Sequence, residues 1–157
     1  MSEIQSLIAD RAVIRLPAGS TVLEAVQVMS AKNVGALLVA GDDLRPLGIF
    51  TERDLMRRVV LVGADPARVK LEEVMTRDLF TADRRSRTDE VRRELQARHI
   101  RHVPVLDGGV CVAVLGLRDL LRADLESTAT ELQATRLYIQ GEAVLKDPGE
   151  GSEPLGG

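Results

Sequence analysis

The sequence predicts an α/β (α+β) fold: two pseudo-symmetric repeats, each a small sheet with two helices, followed by a C-terminal helix. Three observations predict it. Residues 31–39 align with residues 97–105, and residues 48–55 with residues 113–120, at offsets of 66 and 65. Within each copy, runs of strand length alternate with helical spacing in the order strand, helix, strand, strand, helix. Beyond the second copy, apolar residues continue at helical spacing from Leu120 to about Leu145. Two copies of this size are too long and too few for a solenoid. A pair sharing a core, with symmetric clefts between the copies, is the expected arrangement.

In the first copy, residues 12–16 form a short β-prone run ended by Pro17-Ala18-Gly19. Ser20 or Thr21 then caps a helix, and Thr21-Val22-Leu23-Glu24 fits a capping box. Val22, Ala25, Val26 and Met29 mark its buried face. Asn33 stands where this helix should stop, because asparagine tolerates the left-handed conformation used at helix ends. Residues 36–39 are an unbroken apolar strand, Gly41-Asp42-Asp43 a turn, and residues 46–50 the next strand. Thr51 opens a second helix running through Val60. The second copy repeats this order, with strands at 79–82, 103–106 and 110–115, Ser86 capping a helix to about Arg98, and a helix from Leu117. The helix after Ser86 is more polar than its counterpart, anchored only by Val91 and Leu95, and is expected to be the more exposed of the two. These elements divide the chain into repeats at 5–62 and 74–125, a linker at 63–73, a helix at 126–145 and a disordered tail at 146–157.

Composition narrows the function. A hydrophobic share of 45% over 157 residues supports a substantial core. A formal charge of −3 argues against a non-specific nucleic-acid binder, which carries a basic excess. Cys111 is the single cysteine, so no intrachain disulfide forms, and a small core residue is its expected role. The start of the chain lacks the pattern of a secretory signal. No apolar run approaches the ~18 residues of a membrane span. A soluble cytoplasmic protein, without membrane or nucleic-acid partner, is expected. His99 and His102 are three apart, but no cysteine or suitably spaced carboxylate joins them, so no metal site is expected. No nucleophile–base pair and no phosphate loop stand out, and the reading is of a protein that is not an enzyme.

The ordered combination of Gly48-Ile49-Phe50-Thr51-Glu52-Arg53-Asp54-Leu55, Val74-Met75-Thr76 and Ile100-Arg101-His102-Val103-Pro104-Val105 resembles a tandem pair of CBS domains, often called a Bateman module. The resemblance covers roughly residues 5 to 125. The segment Leu137-Tyr138-Ile139-Gln140-Gly141 is similar to the ending of small stand-alone bacterial members. The resemblance implies an adenosyl ligand (AMP, ADP, ATP, NAD(H) or S-adenosylmethionine) between the repeats, with no bound cofactor otherwise. Asp54 and Asp119 match the aspartate that accepts both ribose hydroxyls, a task suited to an acceptor-only carboxylate. Thr51 and Arg53 match the phosphate-holding helix start, and Arg118 is the second-copy counterpart of Arg53. Adenine is expected against Val13-Ile14 and Leu37-Leu38 in a first cleft, and against Leu79-Phe80 and Val103-Pro104 in a second. Arg101 and His102 are expected to reach phosphate, including across the pseudo-dyad.

The two copies depart from the pattern differently. Gly116 replaces the hydroxyl residue and Ala113 the opening glycine in the second copy, while the first lacks a counterpart of Pro104. One good site, in the first copy because it keeps both Thr51 and Asp54, is the expectation. The bland reading of Thr51-x-x-Asp54 is a capping box that stabilises a helix start without ligand. Arg53 and Arg118 fit that reading less well, since a cation in a first turn opposes the helix dipole. Leu121, Leu125, Ala129 and Leu132 trace an apolar face on the last helix, suited to folding back or to pairing in a homodimer. The function expected is a regulatory sensor that signals to an unidentified protein; the alternative is a constitutive interaction module without nucleotide.

Overall fold

The computed structural model describes residues 3–145, with side chains to residue 140; the tail at 146–157 lies outside the described residues. Two three-stranded sheets form, ordered β1-β2-β3 and β4-β5-β6. The first comprises β1 (Arg15–Leu16), β2 (Ala36–Ala40) and β3 (Pro46–Thr51); the second comprises β4 (Ala82–Asp83), β5 (His102–Asp107) and β6 (Val110–Gly116). In each sheet the short first strand pairs parallel to the second, which pairs antiparallel to the third.

Helix α2 (Val22–Lys32) starts at Thr21, whose hydroxyl accepts the Glu24 N–H at 3.1 Å. It stops at Asn33, left-handed at φ 53°. His99 (φ 56°) plays the same part after α5 (Thr88–Ala97), and both helices close with matching backbone bonds, Val34 N–H to Met29 O and Ile100 N–H to Leu95 O. The start of α5 differs from expectation. Its N-cap is Arg87, without a side-chain cap, and the Ser86 carbonyl accepts the Ile4 N–H at 2.9 Å. Nor is α5 more exposed than α2: each buries three positions, Thr88, Val91 and Leu95 in α5 and Val22, Ala25 and Met29 in α2. Its arginines lie along the rim, where Arg92 pairs with Asp124 and Arg93 with Asp89.

The strands expected at 12–16 and 79–82 pair over two residues only, Arg15–Leu16 and Ala82–Asp83. The residues before β4 leave the sheet edge, and Leu79 and Phe80 turn into a cavity. Helix α3 (Glu52–Asp54) follows β3 directly and continues as a π-helical stretch, Leu55–Val60. The counterpart, α6 (Leu117–Leu145), runs 29 residues as one α-helix. Among the described residues, no helix is long and apolar enough to cross a membrane.

Two leading helices complete the repeats, and they are exchanged. Helix α1 (Gln5–Ile8) precedes the first sheet, yet Ile4 is fully buried in the second core with Val91, Leu95, Val103 and Leu115. Helix α4 (Leu71–Val74) precedes the second sheet, yet Leu71, Val74 and Met75 pack in the first core with Val22, Leu37 and Phe50. Isolated bridges pin both arms in matching fashion, Glu3 to Arg87 and Lys70 to Thr21. A third cluster of Leu38, Ala40 and Cys111 joins β2 to β6. Burial in that cluster pushes the Cys111 thiol up from its ordinary pKa.

Candidate functional site

Thr51 ends β3 in an extended conformation and caps α3, its hydroxyl accepting the Asp54 N–H at 3.2 Å. Asp54 answers by accepting the Thr51 N–H at 3.0 Å, which completes a capping box. The box orients a carboxylate that is only 6% exposed. Its other oxygen, Oδ1, accepts the Thr76 hydroxyl at 3.0 Å and lies 3.7 Å from Arg58 Nε. Thr76 arrives from the exchanged arm, bonded both ways to Ile49 of β3. Capping and site-building are therefore one network: Thr51 and Asp54 start a helix, and with Thr76 they hold a carboxylate in a cavity wall.

That cavity, about 430 Å³, opens between the repeats. The volume falls within the range of small-molecule sites. From the first repeat come Thr51, Arg53, Asp54 and Arg57; from the second and its arm come Thr76, Phe80, Arg101, His102 and Pro104. Ile49, Met56, Leu79 and Ile100 add apolar wall. Arg53 crosses the divide, donating to the His99 carbonyl at 2.8 Å. Phe80 presents its ring to the cavity and carries Arg98 4.6 Å from its centroid. Gly35 also lines the cavity, and a Cβ there would come within 3.3 Å of the His102 imidazole. Burial lowers the His102 pKa, opposed by the Glu52 and Asp119 carboxylates and reinforced by Arg101.

The grouping of site residues by repeat does not hold. Asp54 shares its cavity with Phe80, Arg101 and Pro104 of the other repeat, rather than with Val13, Ile14, Leu37 and Leu38. Leu37, Leu38 and Val103 are fully buried core side chains, because successive strand residues alternate faces and a central strand has both faces covered. Val13 packs against the cluster between the sheets and Ile14 against the first core. Arg118 is exposed and lines no part of the cavity. Asp119 lies outside it as well; its two oxygens accept Arg11 Nη2 at 2.9 Å and Nη1 at 3.3 Å, and the Gly116 N–H adds a bond at 2.9 Å. Burial would raise the Asp119 pKa, but Arg11 and the Gly116 N–H outweigh it and hold the carboxyl below its ordinary value.

Sequence reasoning missed Thr76, Arg57, Glu52 and Asp78 as lining residues. Arg57 lies four residues after Arg53, on the same helix face, and that spacing was its available signal. Thr76 stood in a motif without an assigned role. Its place beside Asp54 depends on the exchanged arm, which no local pattern announces.

Two repeats that build one cleft jointly, each completed by the other's arm, define a tandem pseudo-symmetric module. The chain belongs to the CBS-domain family: the CBS domain model matches residues 3–61 and again 71–126. It is 32% identical over 125 residues to the mitochondrial CBS domain-containing protein CBSX3 of Arabidopsis thaliana, covering 77% of this chain and 61% of that one. The chain thus spans about three-fifths of that relative's length. Among solved structures, a CBS-domain-containing protein of Agrobacterium tumefaciens superposes with a TM-score of 0.72 at 28% identity, over 78% of this chain and 99% of that one. The CBS domain pair of protein MJ0100, solved in complex with 5′-methylthioadenosine and S-adenosyl-L-methionine, shares the fold at TM-score 0.70 and 21% identity, over 80% of this chain and 98% of that one.

Proposed function

We propose that this chain is a non-catalytic, cytoplasmic ligand-sensing module that binds a phosphorylated adenosine compound in the cleft holding Asp54. Occupancy is passed to a partner protein through the way the repeats, or two copies of the chain, meet. The observation that carries this reading is a nearly buried carboxylate beside three arginines in one apolar-walled cavity. Asp54 suits a pair of ribose hydroxyls, since a carboxylate accepts from several donors at once. The Arg57 and Arg101 side chains make no hydrogen bond or ion pair among the described residues, which leaves both guanidiniums for phosphate oxygens. This favours AMP, ADP, ATP or NAD(H) over S-adenosylmethionine. Signalling further requires that the ligand prefer one arrangement over the other, because equal affinity for both shifts nothing.

A thermal-shift titration with AMP, ADP, ATP, NAD+, NADH and S-adenosylmethionine tests the reading. Ligand at ~100 times its dissociation constant stabilises the native state by about 2.7 kcal/mol. A phosphorylated compound should raise the melting temperature, and Arg101→Ala should weaken that compound while leaving the ligand-free melt unchanged. A cooperative melt unmoved by all six compounds sinks the nucleotide reading. It would leave the constitutive interaction module, a second reading favoured by the Asp119 carboxylate, which is already taken up by Arg11.

A homodimer belongs to the same proposal. Met56 and Val60 in the first repeat and Leu121 and Leu125 in the second stand at equivalent positions, and all four are exposed, Leu125 at 71%. Apolar faces repeated under a pseudo-dyad suit a second copy bearing the same repetition. Light scattering should give twice the chain mass for the native protein and the single-chain mass for a Val60→Glu, Leu125→Glu variant. A native protein that scatters as a single chain at micromolar concentration rules the dimer out.

A further inference from the structure

We infer that Arg11 is a built-in occupant of the second inter-repeat cleft, latching Asp119 so that the module offers one open nucleotide site and one closed one. The inference rests on the nucleotide reading of the Asp54 cleft. Its ground is a difference between two equivalent carboxylates. Asp54 receives two neutral hydroxyls and one N–H, and its nearest cation stands 3.7 Å away. Asp119 receives a two-pronged guanidinium at 2.9 and 3.3 Å, one prong on each oxygen, where Asp54 has only neutral donors within hydrogen-bond distance. Forked pairing of this kind is the strong, directional form of an arginine–carboxylate contact.

The arm that delivers Arg11 is well anchored. Ile4 is fully buried, Leu7 and Ile8 pack on the second core, and Arg11 Nε donates to the Leu7 carbonyl at 3.1 Å. At the 67-residue offset that relates Glu3 to Lys70, the counterpart of Arg11 is Asp78, an acidic residue on the wall of the open cavity. One repeat thus meets its ribose-position carboxylate with a forked arginine from the leading arm, whereas the other has only the longer contact to Arg58 of its own helix. A nucleoside entering at Asp119 would have to displace the guanidinium. With Arg11 and Asp119 43% and 24% exposed, the latch is open to water and screened by salt, so it is displaceable rather than permanent.

Isothermal titration of the full chain with AMP decides it, using native protein, Arg11→Ala, Arg11→Gln and an Arg11→Ala, Asp119→Asn double variant. Arg11→Gln keeps most of the side chain and supplies the same readout where the alanine variant folds poorly. Native protein should bind one AMP per chain, the Arg11 variants two, and the double variant one again. A single AMP per chain in native protein and both Arg11 variants overturns the latch while leaving the nucleotide reading intact. Two AMP per native chain overturns it too. Binding that is absent from native protein but appears in the Arg11 variants and depends on Asp119 upholds the latch and removes the Asp54 site. No AMP binding in any variant removes both.

Discussion

Gly48→Ala is expected to lower the stability of the whole protein by about 2 kcal/mol, and Gly48→Val by more. Gly48 lies on β3 where the exchanged arm crosses it. A Cβ there would stand 2.6 Å from Met75 Sδ, 2.8 Å from Met75 Cγ and 2.9 Å from the Thr76 carbonyl oxygen. The methionine can swing aside, but the carbonyl belongs to a backbone held by two bonds to Ile49. Relief therefore comes only by lifting the arm. Lifting it withdraws Leu71, Val74 and Met75 from the first core and the Thr76 hydroxyl from Asp54. The equivalent residue of the second repeat is Ala113, which carries a Cβ without difficulty, so the demand for glycine belongs to this one crossing. Urea unfolding of the two variants beside native protein checks the expectation. A Gly48→Val midpoint equal to that of native protein would show that the arm does not press on β3.

Asp54→Asn should weaken binding of the preferred nucleotide by about 100-fold, roughly 3 kcal/mol, through loss of charge-assisted bonds to two ribose hydroxyls. Asparagine keeps the shape, but it has one acceptor oxygen where the carboxylate has two. The Thr51 N–H can keep the amide oxygen, and the Thr76 hydroxyl can turn to accept from the new NH2, so the local network survives while an acceptor for ribose is lost. The fold is expected to lose only about 1 kcal/mol, the usual cost of a weakened cap. Affinity by titration and stability by denaturation separate the two effects. Unchanged affinity in a folded variant would assign Asp54 to capping alone.

Much of the fold was legible in the sequence because its signals are local. The Thr21 cap, the stop at Asn33 and the five-element order of each repeat depend on residues within a few positions of one another. The Thr51–Asp54 box was legible for the same reason. The composition of the cleft was not. Whether Asp54 faces Leu37 or Phe80 is decided by how two sheets meet across a pseudo-dyad, and neither strand pattern nor helical spacing carries that angle. The Arg11–Asp119 pair spans 108 residues and depends on the exchanged arm. Ser86 looks like a cap as a local signal, but the helix takes its N-cap one residue later, at Arg87, where the exchanged arm bridges to the chain.

The exchange of α1 and α4 also bears on how the chain is made. Synthesis runs from the N-terminus at about 5–20 residues per second. The first sheet is complete at Thr51, yet its core lacks Leu71, Val74 and Met75 until these have left the ribosome. The second repeat meets the opposite situation, because Ile4 is made first and waits for its pocket. Neither repeat can finish ahead of the other by much. The nascent chain is therefore expected to close as a pair late in its synthesis, and a message truncated between the repeats would leave the first half open to proteases.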